Sequence, residues 1–293
     1  MNWLLLDVGN TTLKWTLIKA SEALPEPGAA APGSALTPLM LGQGIQAIDE
    51  AALQTTFAAE LAQAGSRIAK DLTTPTPVAS WGCAVAASDK IAAIEAAVRA
   101  AQSAPVQWLG VTRQFQYGGV VLRNGYREPE QLGSDRWHAM IGARARYADV
   151  PLLIISAGTA TTVDAVGADG SFLGGVIAPG VEMMRAALAR GTARLPLAAG
   201  DYVELPDNTD DAIRTGILDA QIGLIMQRMH CLRRQCGSAV QVVVSGGNGP
   251  TLHALLRVQG GLGTMALEPD LVLLGLWYRA RAQREQANKS PTP

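Results

Sequence analysis

Apolar positions come in short unbroken blocks at the start of the chain and again near its middle. Asn2–Leu6 (NWLLL) is one such block; it runs into Asp7-Val-Gly-Asn-Thr-Thr12, and Leu13–Ile18 resumes a strand-like pattern. Block, glycine turn and second block predict a buried strand, a tight turn and a second strand. Ile45–Ala64 carries apolar residues at helical spacing with Gly65 as a stop, and predicts a helix. Pro77–Trp81 predicts a strand, Asp89–Ala101 a helix and Val106–Leu109 another strand. The turn-rich stretch Arg123–Gly133 leads into a helix over Ser134–Tyr147, with Ser134 or Asp135 near its cap. Pro151–Ser156 (PLLIIS) is a second β-rich block, followed by Ala157-Gly-Thr-Ala-Thr-Thr-Val-Asp164.

Asn208–Gln235 gives the strongest helical pattern. Asp207, Asn208 and Thr209 are cap candidates, Asp210 and Asp211 fall in the first turn, and Ile213, Ile217, Ile222, Ile225 and Met229 form an apolar stripe. Arg233 and Arg234 close it and Gly237 stops it. Val240–Val244 predicts a strand running into Ser245-Gly-Gly-Asn-Gly249, and Asp270–Gln286 a final helix. Strands alternating with helices predict an α/β fold. The Pro/Ala/Gly-rich segment Ser21–Pro38 reads as a loop.

Asp7-Val-Gly-Asn-Thr-Thr can be laid over Ser156-Ala-Gly-Thr-Ala-Thr at an offset of 149 residues, almost half of the 293-residue chain. Both segments follow an apolar strand, both have Gly third (Gly9, Gly158), and both continue into Thr and another strand. Two similar halves, each opening on a strand–turn–strand hairpin, is the economical explanation. The expected division is a first domain over 1–123, a second over 124–285 and a flexible tail over 286–293.

Composition narrows the function classes. With 48% apolar residues and 17% charged, the bulk of the chain can bury a core and is not disordered. A net charge of −1 gives no footprint for nucleic acid. The apolar start meets Asp7 too early for a secretory signal, and no run of about 18 apolar residues could span a membrane. Cys83, Cys231 and Cys236 are too few and too scattered for a disulfide framework or zinc site, which suits a reducing cytoplasm. Cys83 reads as a small core residue, His138, His230 and His253 as surface or cap residues, and Trp15, Trp81 and Trp108 as core. Met183 and Met184 read as packing residues.

The two Gly/Thr hairpins carry the chemistry. Glycine lets backbone N–H groups converge on an anion, threonine hydroxyls add neutral donors, and a carboxylate at a strand end can hold hydrated Mg²⁺. Neither a P-loop nor a dinucleotide fingerprint is present. Ser245–Gly249 offers either backbone against a flat ring such as adenine or a plain strand-to-helix turn. Asp135 serves either as a general base beside the anion-clamping Arg136 or as a helix cap.

Six segments together resemble the type III pantothenate kinases, a family that includes proteins described as transcriptional accessory factors. They are DVGNTTLKW from Asp7, YREPEQLGSDRW from Tyr126, SAGTATTVD from Ser156, GGVIAPG from Gly174, NTDDAIRTG from Asn208 and SGGNG from Ser245, spanning Asp7 to about Arg281. The resemblance implies two duplicated actin-like ATPase (ribonuclease H-like) α/β domains with nucleotide in the cleft between them. It also implies a homodimer and ATP-dependent phosphorylation of pantothenate, the first step of coenzyme A synthesis. Carried onto this sequence, Asp7, Val8, Gly9, Asn10, Thr11, Thr12, Leu13 and Lys14 form the first phosphate motif, with Asp7 organising Mg²⁺ through water. Thr159, Thr161 and Thr162 form the second phosphate motif, and Gly246 and Gly247 belong to the ATP site. Asp135 is the family's general base; Tyr126, Gly133, Ser134, Asp135 and Arg136 bind pantothenate, and Thr209 reaches the pantothenate of the neighbouring protomer. Ser156 is a departure: the family usually has there an Asp that ligates a monovalent cation, K⁺ or NH₄⁺, so that site is weakened, relocated or replaced. The alternatives are a kinase of another small alcohol and a non-catalytic ATP- or pantothenate-binding regulator.

Overall fold

The two apolar blocks of the sequence each become the central strand of a five-stranded sheet. The computed structural model describes residues 2–19, 40–48, 53–57, 59–61, 63–64, 78–102, 105–237 and 239–289. They form two compact units, one of Met1–Ala148 with Asp270–Pro293, the other of Asp149–Pro269.

In the first unit β1 (Asn2–Val8) pairs antiparallel with β2 (Thr12–Lys19), which pairs antiparallel with β3 (Met40–Ala47). On the other side β1 pairs parallel with β4 (Val78–Ala84), which pairs parallel with β5 (Val106–Trp108). The order is therefore β3-β2-β1-β4-β5. Leu4, Leu6, Val8, Leu13, Trp15 and Leu17 form one core cluster with Phe57, Leu61 and residues of α1 (Ser88–Gln102). Ile45–Ala47, expected to open a helix, belong to β3 instead; among the described residues that follow, Leu53–Phe57 are helical. The reason lies across the sheet. Cβ atoms at Gly42 and Gly44 would fall 3.6 Å and 2.4 Å from the Trp15 ring, so this strand is matched to a large side chain on β2. The loop expected over Ser21–Pro38 lies outside the described residues.

A hairpin of β6 (Gln114–Tyr117) and β7 (Val120–Arg123) follows, then α2 (Ser134–Arg146), capped by Gly133 rather than by Ser134 or Asp135. α2 packs on the last helix, α6 (Leu271–Lys289), at backbone contact: a Cβ on Gly142 would sit 2.1 Å from the Leu271 carbonyl oxygen, and one on Gly275 1.8 Å from that of His138. This contact fastens both helices into the first unit. The structure thus divides at 148/149 and 269/270, and 124–148 and 270–285, expected in the second domain, belong to the first. Residues 286–289 of the expected tail are helical.

The second unit repeats the sheet. β8 (Leu152–Ala157), β9 (Ala160–Val166) and β10 (Phe172–Pro179) run antiparallel in sequence, while β11 (Gln241–Ser245) and β12 (Thr264–Leu267) add in parallel on the other side. The order β10-β9-β8-β11-β12 reproduces that of the first sheet strand for strand. α3 (Val181–Gly191), α4 (Thr209–Cys236) and α5 (Gly249–Gln259) complete it. α4 is capped as its sequence predicts: the Asn208 side chain accepts from the Asp211 amide at 3.0 Å, and the Gly237 amide donates to the Arg233 carbonyl.

Candidate active site

The two hairpin turns are braced by corresponding backbone bonds, across turns that differ by one residue in length. Gly9 N–H donates to the Thr12 carbonyl at 2.9 Å, and Gly158 N–H to that of Ala160 at 3.0 Å. The amide just after the third strand donates to each turn: Ile48 to Thr11 and Gly180 to Thr159, both at 3.0 Å. The residues that follow the fourth strand close the end of the first strand, Val85 to Val8 at 3.0 Å and Asn248 to Ala157 at 2.9 Å. Gly180 is required by this packing, because a Cβ there would lie 2.3 Å from the Gly158 carbonyl oxygen.

The side chains differ sharply between the turns. In the first, Asp7 lies opposite Lys14 on β2 and beside Cys83 on β4, whose thiol points at Asp7 Oδ1 from 4.0 Å. Burial pushes the Asp7 carboxyl up to about 7; Lys14 draws it down and the charge of Asp135 raises it further. Cys83 is buried as expected, and burial beside those two carboxylates pushes its thiol up, which makes it inert as a nucleophile. Val8 and Leu13 are core side chains, so they can offer a ligand only backbone, whereas Asn10, Thr11 and Thr12 are exposed.

Asp135 belongs to the same unit as Asp7 and is electrostatically coupled to it. It sits in the first turn of α2, where the Ser134 hydroxyl donates to the Ala84 carbonyl at the end of β4 at 2.9 Å. Its Oδ1 accepts from the Arg136 amide at 2.8 Å and occupies space 2.5 Å from where a Gly133 Cβ would stand. Burial raises the Asp135 carboxyl above its ordinary value, against the Arg136 amide and charge. Arg136 is buried; its Nη1 donates to the Tyr126 hydroxyl at 3.0 Å, and its guanidinium lies 5.8 Å from the Tyr126 ring centre. His138, expected as a surface or cap residue, is fully buried inside α2. Its pKa falls to about 3, so the ring is neutral and its Nδ1–H donates to the Ser134 carbonyl at 2.6 Å.

The second hairpin carries hydroxyls in place of charges. Ser156 is half-buried at the end of β8, between Thr162 on β9 and Ser245 on β11. Strand alternation puts Thr161 and Thr162 on opposite faces. Thr162 donates to Asp164 Oδ2 at 3.4 Å, whereas the buried Thr161 hydroxyl has no partner among the described residues. Gly246 has φ +90° and no room for a side chain, since a Cβ would meet the Ala157 carbonyl oxygen at 2.5 Å. Gly247 is exposed and open above its Cα. Thr209 opens α4 and lines an apolar groove of about 980 Å³ with Pro179, Met183, Ile213 and Ile217.

The first unit therefore brings together Asp7, the turn 9–14, Tyr126 and Gly133–Arg136. The second gathers Ser156, Thr159–Thr162 and Gly246–Gly247 at the ends of its strands, with Thr209 on a helix. Sequence reasoning missed Lys90, whose ammonium donates to the Asn10 carbonyl. The available signal was scarcity: the chain has five lysines, and none falls between 149 and 269.

Among the described residues no group of three or more His, Cys, Asp or Glu could hold a metal, and no helix is long and apolar enough to cross a membrane. The model of the type III pantothenate kinase family matches residues 3–230. A type III pantothenate kinase of Aromatoleum aromaticum is 39% identical over 278 residues, covering 95% of this chain and 97% of that protein. One of Leptothrix cholodnii is 36% identical, covering 94% and 100%. Among solved structures, a Campylobacter jejuni protein named for the Baf family of transcriptional activators superposes with a TM-score of 0.52 at 16% identity, over 97% of this chain and 99% of that one. A Sinorhizobium meliloti protein named for 2-dehydro-3-deoxygalactonokinase gives 0.50 at 16% identity, over 96% and 99%. At such identities the structural likeness speaks for the ATPase fold alone.

Proposed function

The chain belongs to the type III pantothenate kinases, and from that premise we propose that it transfers the terminal phosphoryl group of ATP to the primary hydroxyl of pantothenate, yielding 4'-phosphopantothenate and ADP. The observation that carries this is the coupling of Asp135 to Asp7 within one unit, both carboxyls raised by burial. Asp135 takes the hydroxyl proton as the alcohol oxygen bonds to the γ-phosphorus and the bond to the β-phosphate bridge breaks; the proton then passes to solvent. A carboxylate raised toward neutrality is a stronger base than a free one, and such help contributes about 10²- to 10⁴-fold. Arg136 and Tyr126, already bonded to each other, orient the substrate's anionic end. Each Gly/Thr turn presents backbone and hydroxyl donors of the kind that bind phosphate, and Gly247 leaves open backbone of the kind a nucleobase can lie against.

Asp7 is a poorly solvated carboxylate with a single lysine opposite, a setting that a cation relieves. One carboxylate suits Mg²⁺, which keeps most of its waters and takes its other ligands from phosphate. When bound it supplies charge neutralisation; Asp7 would hold it through water. Ser156 offers a hydroxyl and no charge, so the monovalent-cation site is weakened relative to one built on a carboxylate.

The apolar groove of α3 and α4, together with exposed Ile177, Met183 and Leu205, supports a homodimer in which Thr209 serves the neighbouring protomer's pantothenate. Sedimentation velocity tests this: Met183→Asp is expected to yield monomer, and a native chain that sediments as monomer removes the dimer. The enzyme is assigned to the cytoplasm, where its nucleotide substrate is found.

The deciding experiment is ADP release from Mg-ATP with and without pantothenate. Native protein should show pantothenate-dependent release, and Asp135→Asn should lower kcat by about 10²- to 10⁴-fold with Mg-ATP affinity kept. An unchanged kcat in the variant would remove Asp135 as the base.

A further inference from the structure

Each hairpin turn is held by the matching backbone bonds described above, and the first is held in addition by a lysine. Lys90, in the first turn of α1, donates from its ammonium to the carbonyl of Asn10 at the tip of the turn. No lysine exists in the second unit to do the same. Lysines are scarce in this chain, yet two of the five, Lys14 and Lys90, converge on this one turn.

The bond has a geometric consequence. A trans peptide carries its C=O and N–H on opposite edges of one plane. Fixing the Asn10 carbonyl toward Lys90 therefore fixes the direction of the Thr11 N–H, and keeps a carbonyl dipole from turning toward an incoming phosphate. The neighbouring carbonyls are committed as well, Val8 to Val85, Thr11 to Ile48 and Thr12 to Gly9. With the Asn10 carbonyl also held, the backbone carbonyls of Val8, Asn10, Thr11 and Thr12 are all engaged by the protein. A lysine ammonium has three donors and this bond uses one. The half-buried Lys90 thus also keeps a positive charge at the edge of a turn whose other fixed charges are Asp7 and Lys14.

We propose that Lys90 is a positioning residue for the polyphosphate of ATP, orienting the Asn10–Thr11 peptide of the first hairpin and adding the charge that the outer phosphates require. The proposal rests on the assignment of that hairpin to the phosphates, so its test must separate the two. Titration of the full-length native protein, Lys90→Met and Lys90→Arg with a non-hydrolysable ATP analogue plus Mg²⁺, and in parallel with AMP, does so without requiring turnover. Lys90→Met should weaken the triphosphate analogue by about tenfold, the scale of one lost charge-assisted hydrogen bond. AMP affinity and thermal midpoint should stay unchanged, and Lys90→Arg should restore most of the loss. In turnover, KM for ATP should rise while KM for pantothenate does not. Equal weakening of AMP and the triphosphate, or no weakening of either, overturns the role of Lys90. A native chain that binds the triphosphate no better than AMP overturns the hairpin assignment, and the Lys90 proposal with it. A native chain that binds the analogue yet lacks pantothenate-dependent turnover removes the kinase reading alone, and the Lys90 comparison still decides its own question.

Discussion

The hairpin of the first unit and the hairpin of the second share strand order, turn position and bracing bonds, and they differ almost wholly in charge. Asp7 and Lys14 face each other across the first, and Lys90 ties its tip; Ser156 and Thr162 occupy the corresponding rungs of the second. The backbone scheme tolerates either set because its bonds run amide to carbonyl and are indifferent to side chains. The side chains that do differ stand at strand ends, where they can meet ligand and solvent. One fold has thus been used twice, once with fixed charges and once with neutral hydroxyls.

The largest test of that contrast removes the charge from the first turn. Asp7→Asn should lower Mg-dependent turnover by about 10²-fold or more, a loss on the scale of transition-state charge stabilisation. Stability should move the other way. A carboxyl raised in the folded state to about 7 favours folding at low pH, and that contribution is lost as pH rises from about 4 to 7. Without Mg²⁺, Asp7→Asn should therefore be more stable than native protein at pH 8, on the order of 2 kcal/mol given that Asp7 retains some solvent contact. The gap should close near pH 4. Equal thermal midpoint differences at both pH values would falsify the burial cost.

A smaller effect is expected at the turn that closes the second sheet. Gly246→Ala forces a side chain into φ +90° and against the Ala157 carbonyl, and should cost about 1–3 kcal/mol in urea unfolding. Gly247→Ala, with open space above its Cα, should leave stability unchanged and serves as the control. The smallest effect restores symmetry. Ser156→Asp, which gives the second hairpin a carboxylate where the first has Asp7, should raise the ratio of activity in potassium to that in sodium by about threefold, less than 1 kcal/mol. A ratio that does not move would show that charge at this rung does not govern the cation.

The hairpins, the capping of α4 and the α/β class were legible because each rests on local pattern: an unbroken apolar block, a Gly/Thr turn, Asn208 before two aspartates. β3 was misread because Gly42 and Gly44 make sense only once Trp15 lies across from them on β2. His138 looked like a surface or cap residue because nothing near it in sequence shows that α6 closes over α2, at Gly142 and Gly275. The same helix contact moved the domain boundary. Thr161 and Thr162, assigned with Thr159 to one phosphate motif, stand on opposite faces of β9, which only the strand's alternation shows.

Residue identity by itself determined the chemistry on offer, namely which carboxylates, hydroxyls and glycines stand at the ends of apolar blocks, because strand and turn propensities act over a few residues. The tertiary structure alone decided which of them share an environment. Asp7 and Asp135 stand 128 positions apart in the sequence, and Lys90 reaches Asn10 across 80. Their electrostatic coupling and their hydrogen bond depend on distance in space, which long-range sheet pairing and helix packing set and local sequence does not encode.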